Sequence, residues 1–158
     1  MYFLFGIMWS MNSCTPKVDL KAEKTQVKAA VDDFATVLEN EDMNLLKNLM
    51  AHDADMVCFG TDASERWVGY DALQESVQQQ FAAFSDAKID VSDQVINVNP
   101  TGNTAWFSEV MDWSMKVDTQ MVNMQGVRMT GVLEKQDGKW VFVQFHTSVP
   151  VSGQAAEY

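Results

Sequence analysis

The stretch GVLEKQDGKW at residues 131–140, followed by VFVQFHTS at 141–148, decides how this chain folds. Asp137-Gly138 separates two long segments of extended character, Gln120 to Gln136 and Lys139 to Val149. Glycine adopts the positive φ angles that tight hairpin turns need. The pair therefore predicts a long antiparallel hairpin at the end of the chain.

The length of this turn sets which side chains share a face of the hairpin. A three-residue loop of Gln136, Asp137 and Gly138 places Lys135 opposite Lys139. We then expect a more apolar, concave face carrying Val141, Val143, Phe145, Thr147 and Val149 with Met129, Gly131 and Leu133. The other face would carry Trp140, Phe142, Gln144, His146 and Ser148 with Arg128, Thr130 and Val132, and Arg128 would lie opposite His146. A two-residue turn would match the faces differently, so this register depends on the loop.

Further strands precede the hairpin. Lys88 to Asn99 and Thr104 to Val117 are extended segments separated by the turn residues Pro100-Thr101-Gly102-Asn103. Asp55 to Gly60 and Arg66 to Gly69 each resemble a short strand. The sheet is therefore expected to hold about four long antiparallel strands plus short ones.

The first half of the chain has helical periodicity. A stripe at helical spacing predicts a helix from about Lys21 to Glu39, formed by Val27, Ala30, Val31, Phe34 and Leu38. Asp42 can cap a second helix through Ala51, and a third begins at Asp71, where Gln74 completes a capping-box-like pair. This order predicts an α+β fold in which three N-terminal helices pack on one face of a strongly curved antiparallel sheet.

Two phrases give this order a family resemblance. GTDASERWVG at 60–69, and GVLEKQDGKW at 131–140 with VQFHTS at 143–148, resemble the cystatin-like cone domains over roughly residues 21–150. That group includes nuclear transport factor two, ketosteroid isomerase, the SnoaL-like polyketide cyclases and the calmodulin-dependent kinase association domain. The resemblance implies a cone-shaped single domain that encloses a pocket and usually dimerises through its sheet. Fold likeness alone does not transfer function.

Length and charge limit the possible partners. A chain of 158 residues with 47% hydrophobic content suits one domain with a substantial core. Its 22 acidic and 11 basic residues give a formal net charge of −11, which repels phosphate backbones and anionic headgroups. We therefore expect no nucleic-acid partner. The expected partners are a small molecule and a second copy of the chain.

The N-terminal segment predicts a membrane anchor. Residues 1–11 carry no charge and are too few to span a bilayer as a helix. The following Asn12-Ser13-Cys14 resembles a bacterial lipoprotein processing site, so Cys14 is the expected lipidation site and the cell envelope the expected location. We divide the chain into a signal and tether at 1–20, a SnoaL-like cone domain at 21–152 and a tail at 153–158. The alternative is an apolar segment that packs on the domain.

The chemistry is less well determined. Ketosteroid isomerases have a general-base Asp whose matching position here is Cys58 or Phe59, and neither can accept that proton. The acids placed near a mouth are Asp62, Glu109 and Asp112. Each is more often a solvated carboxylate than a catalyst, so no catalytic residue is assigned.

Several other side chains are candidate ligand contacts. Trp67, Trp106 and Trp113 occur where the family closes its pocket, and Trp67 and Trp106 are the candidate contacts, although filling of the core is an equal alternative. Met129 and Phe145 lie on the expected concave face. Arg128 and His146 would hold a carboxylate if they point inward, and would belong to the dimer face if they point outward. The basic pocket positions of the kinase association domain match Asp112, Gly131 and Thr147 here, which favours a neutral or apolar ligand.

No cofactor or metal is expected, because the chain has no Gly-rich phosphate loop and no His-x-x-x-His or Cys-x-x-Cys spacing. Three hypotheses follow. The first is a module that binds a small hydrophobic or amphipathic molecule. The second is an isomerase, dehydratase or cyclase using one of the three acids. The third is an interaction domain that uses an outer apolar patch of Val132, Trp140 and Phe142.

Overall fold

The structure is a computed structural model that describes residues 17–153 and 156. It contains three helices and six strands among these residues, which confirms the predicted α+β class. The elements in chain order are α1 (Leu20–Asn40), α2 (Met43–Leu49), β1 (Val57–Phe59), β2 (Arg66–Val68), α3 (Tyr70–Ala83), β3 (Phe84–Val98), β4 (Thr104–Val117), β5 (Gln120–Gln136) and β6 (Lys139–Ser148). Cys14 lies outside the described residues.

Helix starts follow local capping chemistry in two cases of three. The Asp19 side chain accepts the backbone N–H of Lys21 and of Ala22 at 3.1 Å each, which caps α1. Asp42 caps α2 in the same way, as predicted. By contrast, α3 begins one residue before Asp71 and follows a glycine with a φ of 78°, without a side-chain cap. The predicted capping pair of Asp71 and Gln74 is therefore wrong.

The sheet has six strands in the order β2-β1-β6-β5-β4-β3. Its four long strands are antiparallel, as expected. The short strand β1 runs parallel to β6, with Phe59 opposite His146, so the sheet is mixed, with one parallel pair beside the four antiparallel long strands. This pairing brings the loop between β1 and β2 beside the end of β6.

Bulges bend the long strands. In β3 the register shifts near Asp86 and Asp93, which both have positive φ angles. Between β4 and β5 the register shifts beside Asp112, whose Oδ1 accepts the backbone N–H of Gly126 at 2.8 Å. Such bulges increase local twist and allow a sheet to curve around packed helices.

The β5–β6 hairpin corrects the predicted register. Gln136 pairs with Lys139, so the turn has two residues, and both Asp137 and Gly138 have positive φ angles. A bulge at Val143 then shifts the register again. As a result Trp140 and Phe142 face the helices, and the proposed outer patch of these two residues with Val132 does not exist.

The inner face of the sheet, meaning the face toward the helices, packs on α1. The Phe34 ring lies 5.6 Å from that of Phe142 and 5.3 Å from that of Phe145 between centroids. At the other end of α1, Glu23 accepts hydrogen bonds from Lys135 at 2.7 Å and from the Trp140 indole at 3.0 Å. No helix among the described residues has the length and apolar character needed to cross a bilayer.

Candidate functional site

A cavity of about 290 Å³ lies between the second half of α1, helix α3 and the inner face of strands β4 to β6. We call it the cone cavity. Its volume is near the lower end of the range, about 300–1,000 Å³, in which small ligands bind. Its lining consists of Phe34, Leu38, Gly60, Thr61, Asp62, Glu65, Trp67, Leu73, Val77, Gln80, Phe84, Trp113, Met115, Met124, Phe145, Thr147 and Val149.

Most of this wall is apolar, and the helix and strand periods explain why. Phe34 and Leu38 are four residues apart on α1, as are Leu73 and Val77 on α3, so each pair projects from one face of its helix. The strands supply a further set of large side chains, namely Trp113, Met115, Met124 and Phe145. Aromatic and Met side chains suit an apolar ligand because they offer large, adaptable contact areas.

The polar end of the cavity is built by the loop between β1 and β2. The Glu65 carboxylate is half-buried there and held by three donors. Its Oε2 accepts the backbone N–H of Asp62 at 2.9 Å and the hydroxyl of Thr61 at 3.3 Å. Its Oε1 accepts the amide of Gln80 on α3 at 3.3 Å. These contacts fix the carboxylate at the cavity wall and tie the loop to the helix.

Gly60 makes room for this arrangement. A Cβ atom at this position would overlap Glu65 Oε2 and would approach the Trp67 ring to 2.6 Å. Only a residue without a side chain therefore allows the carboxylate and the indole to lie where they do. The first glycine of the GTDASERWVG phrase is thus part of the site.

Thr147 is a buried polar residue of the lining. Its hydroxyl donates to the carbonyl oxygen of Phe59 at 3.3 Å, across the parallel β1–β6 pair. The hydroxyl oxygen keeps acceptor capacity for a ligand donor.

The predicted ligand contacts divide into two groups. Trp67, Asp62 and Phe145 line the cone cavity. Met129 is fully buried but does not line it. Trp106 is 48% exposed and pairs with Asn97 and Val132, on the opposite face from the buried Phe107. The expected position of Trp106 at the mouth is therefore wrong, because strand alternation directs it to the outer face of the sheet.

Arg128 and His146 do not form the expected pair. Arg128 lies opposite Ser148, while His146 lies opposite Thr130. Both side chains are exposed and neither lines the cavity. Both side chains therefore point away from the cone cavity, and they form no carboxylate clamp inside it.

Two of the three predicted acids have structural contacts elsewhere. Asp112 is exposed, lies outside the lining and holds the β5 bulge through Gly126. Glu109 is 4% exposed and lies under α1, where its Oε2 accepts the amide of Gln94 at 2.9 Å. Burial raises the pKa of the Glu109 carboxyl, and nearby Asp32 acts in the same direction. The lining contains neither carboxyl.

Sequence reasoning missed Glu65 and Gln80 as polar lining residues, whereas Thr147 lies on the concave face as predicted. Glu65 lies inside the phrase that carried the family resemblance, four residues after Thr61. Its role needs the contact with Gln80, which is fifteen residues away on another element. No local spacing signals such a contact.

The described residues offer neither a metal cluster nor a reactive thiol. No group of three His, Cys, Asp or Glu side chains in residues 17–153 is placed to hold a metal ion. Cys58 is fully buried on β1, and burial raises the pKa of its thiol to about 11. The thiol is therefore a core group.

Comparison with known proteins supports the fold. The model of the family described as SnoaL-like domain matches residues 27–152. A nuclear transport factor 2-like superfamily protein from Salmonella enterica is 17% identical with a TM-score of 0.76, covering 87% of this chain and 99% of that one. No curated protein sequence matches the chain.

Two further solved structures share the fold. A protein provisionally named a dehydratase of the NTF2-like family, from Streptomyces avermitilis, is 18% identical with a TM-score of 0.73, covering 84% of this chain and 99% of that one. A ketosteroid isomerase-like protein from Erwinia carotovora is 16% identical with a TM-score of 0.65, covering 82% of this chain and 97% of that one. At these identities the likeness concerns the fold alone.

Proposed function

The chain belongs to the SnoaL-like domain family, and on that premise we propose that it binds a small, largely apolar molecule in the cone cavity. The observation that carries the proposal is the cavity itself. About 290 Å³ of space is walled by apolar side chains and has one anchored carboxylate at its polar end. Concave apolar sites with a few placed polar groups are the usual form of small-molecule sites.

Binding is favoured over catalysis by where the acids lie. A general base that works inside an apolar pocket needs a carboxyl in that pocket with a pKa raised toward neutrality. The acid whose pKa burial raises is Glu109, and it lies under α1 outside the lining. Asp62 and Glu65 line the cavity, but Asp62 is exposed, and Glu65 is only half-buried and already accepts three hydrogen bonds.

Filling the cavity tests this proposal. Met124→Trp adds volume to a half-buried side chain of the lining, while Met121→Trp on the same strand is a matched control because Met121 is 57% exposed and outside the lining. A metabolite library is screened by thermal shift against the native chain and both variants. A ligand at 100 times its Kd stabilises a protein by about 2.7 kcal/mol. We expect hits that Met124→Trp abolishes and Met121→Trp retains; hits that survive both would place binding elsewhere.

A second candidate is proton transfer on a bound substrate. It is favoured by one observation, the Glu65 carboxylate facing the apolar cavity beside Trp67. Several proteins with this fold have names that refer to isomerases or dehydratases. NMR of enolisable ketones in D₂O tests it, because a base that removes an α-proton exchanges it for deuterium. Exchange that Glu65→Gln abolishes would support catalysis, and exchange at the uncatalysed rate would exclude it for those ketones.

We also propose that a lipid anchor on Cys14 holds the protein at the cell envelope.

We further propose that the chain forms a homodimer through the outer face of the sheet. The exposed Trp106 supports the dimer, because large exposed aromatic side chains on a sheet face commonly mark interfaces. Light scattering tests it. We expect a dimer for the native chain and a monomer for Trp106→Glu; a native monomer would contradict the proposal.

A further inference from the structure

We propose that the ligand of the cone cavity carries a positively charged amine, which binds at Glu65 while the apolar body of the ligand fills the rest of the space. This inference rests on the proposed function and names the chemical class of its ligand. It comes from the charges of the lining, the open acceptor position on Glu65 and the aromatic walls.

The charged residues of the lining all have the same sign. Asp62 and Glu65 contribute two carboxylates. No Lys, Arg or His side chain lines this cavity in the part of the chain that the structure describes. The two cationic candidates from the sequence, Arg128 and His146, lie outside the lining. A carboxylate or phosphate ligand would therefore meet like charge and no partner, whereas an ammonium group would meet opposite charge.

Glu65 has the hydrogen-bonding capacity to accept such a group. A carboxylate offers about four acceptor positions. Three are used, two on Oε2 by Thr61 and Asp62 and one on Oε1 by Gln80. The remaining position is on Oε1. An ammonium donor there would complete the set with a charge-assisted hydrogen bond, which is stronger than a neutral one.

The aromatic walls suit both ends of this ligand. The Trp67 and Phe145 rings are 6.3 Å apart between centroids, and Phe34, Phe84 and Trp113 add three further rings to the lining. Ring faces attract cations as well as apolar groups, so they favour an amine over an anion of the same shape. The formal net charge of −11 also raises the local concentration of cations around the protein.

The test uses three probes that share a phenethyl group and differ in charge: phenethylamine, phenethyl alcohol and hydrocinnamate. Each is titrated by NMR into the full chain and into Glu65→Gln. Glu75→Gln is the matched control, because Glu75 lies exposed on α3 and outside the lining. Circular dichroism checks that each variant is folded.

We expect phenethylamine to bind at least about 10-fold more tightly than phenethyl alcohol, and hydrocinnamate more weakly than either. Glu65→Gln should lower the affinity for phenethylamine roughly 10- to 100-fold and keep the affinity for phenethyl alcohol within about 3-fold of the native value. Glu75→Gln should change neither. If Glu65→Gln fails to fold, a salt titration of the native chain takes its place. Raising NaCl from about 0.05 to about 0.5 M should lower the affinity for phenethylamine and leave the affinity for phenethyl alcohol unchanged.

The two proposals fail in different ways. Alcohol or hydrocinnamate binding as tightly as the amine would overturn the amine inference and leave the binding function intact. An amine preference that survives in Glu65→Gln would also overturn the role of Glu65. If none of the three probes and no member of the metabolite library binds, the proposed function falls and the inference falls with it.

Discussion

The backbone N–H of Gly60 donates to the carbonyl oxygen of Glu65 at 2.8 Å, and a methyl group on Gly60 would overlap the Glu65 carboxylate. Within the short β1–β2 hairpin, the Glu65 carboxylate thus lies directly over Gly60. This arrangement presents Glu65 to the cone cavity at a fixed place, between the Trp67 ring and the Gln80 amide.

Gly60→Ala should therefore displace both Glu65 and Trp67. Because the displaced carboxylate would leave its place at the cavity wall, we expect phenethylamine affinity to fall at least about 10-fold. Gly138→Asn is the control, because Gly138 lies in a hairpin turn with nothing near its Cβ position and Asn tolerates its positive φ. Unchanged affinity in Gly60→Ala, measured by calorimetry, would show that Glu65 need not occupy this place.

Substitution of Trp67 and substitution of Trp106 should have different effects on ligand binding. Trp67→Ala removes part of the cavity wall and should lower the affinity for phenethylamine about 10-fold or more. Trp106→Ala should keep this affinity within about 2-fold of the native value. Both variants should stay folded, since neither indole is fully buried. An equal loss of affinity in the two variants would place the ligand outside the cone cavity.

Glu109 should make stability depend on pH. Burial raises the pKa of its carboxyl above the ordinary 4.5, so the folded state keeps a proton that the unfolded state has lost. This group therefore lowers the free energy of unfolding as the pH rises from its ordinary pKa through its raised one. Glu109→Gln should be nearly neutral below pH about 4 and more stable than the native chain at neutral pH.

Urea unfolding at a series of pH values measures this difference. Glu134→Gln is the control, because that carboxyl is exposed on β5. A stability gain of Glu109→Gln that is the same at every pH would contradict the assigned cause.

Cys14→Ser tests the proposed lipid anchor. Without the thiol no acyl chain can be attached, so we expect the variant in the soluble fraction and the native protein in the membrane fraction. Cys58→Ala is the control, because the Cys58 thiol is buried in the core. Equal fractionation of Cys14→Ser and the native chain would remove the anchor.

The hairpin shows how far the sequence determines the fold. Asp137-Gly138 located the turn, but its length depended on Asp137 also taking a positive φ, which Asp does less readily than Gly. The two-residue turn places Trp140 and Phe142 on the inner face of the sheet and not on the predicted outer face. Beyond the bulge at Val143 the predicted and observed registers differ by two residues, so Phe145 kept its predicted face. Bulges have no local sequence signature of comparable strength.

The site was harder to predict than the fold. The GTDASERWVG phrase located the right loop, and Trp67 and Asp62 were recognised within it. Glu65 was missed because its significance lies in a contact with Gln80, and Trp106 was misplaced because strand direction alone does not tell which face closes the pocket. These properties arise only when helices and strands are packed together.

The most direct measurement is diffraction from crystals soaked with bromophenethylamine, recorded at the bromine absorption edge. We expect one anomalous peak inside the cone cavity, among Trp67, Trp113 and Phe145, with the amine nitrogen within hydrogen-bonding distance of Glu65. A peak on the outer sheet face at Trp106, or an empty cavity at saturating probe, would contradict the account.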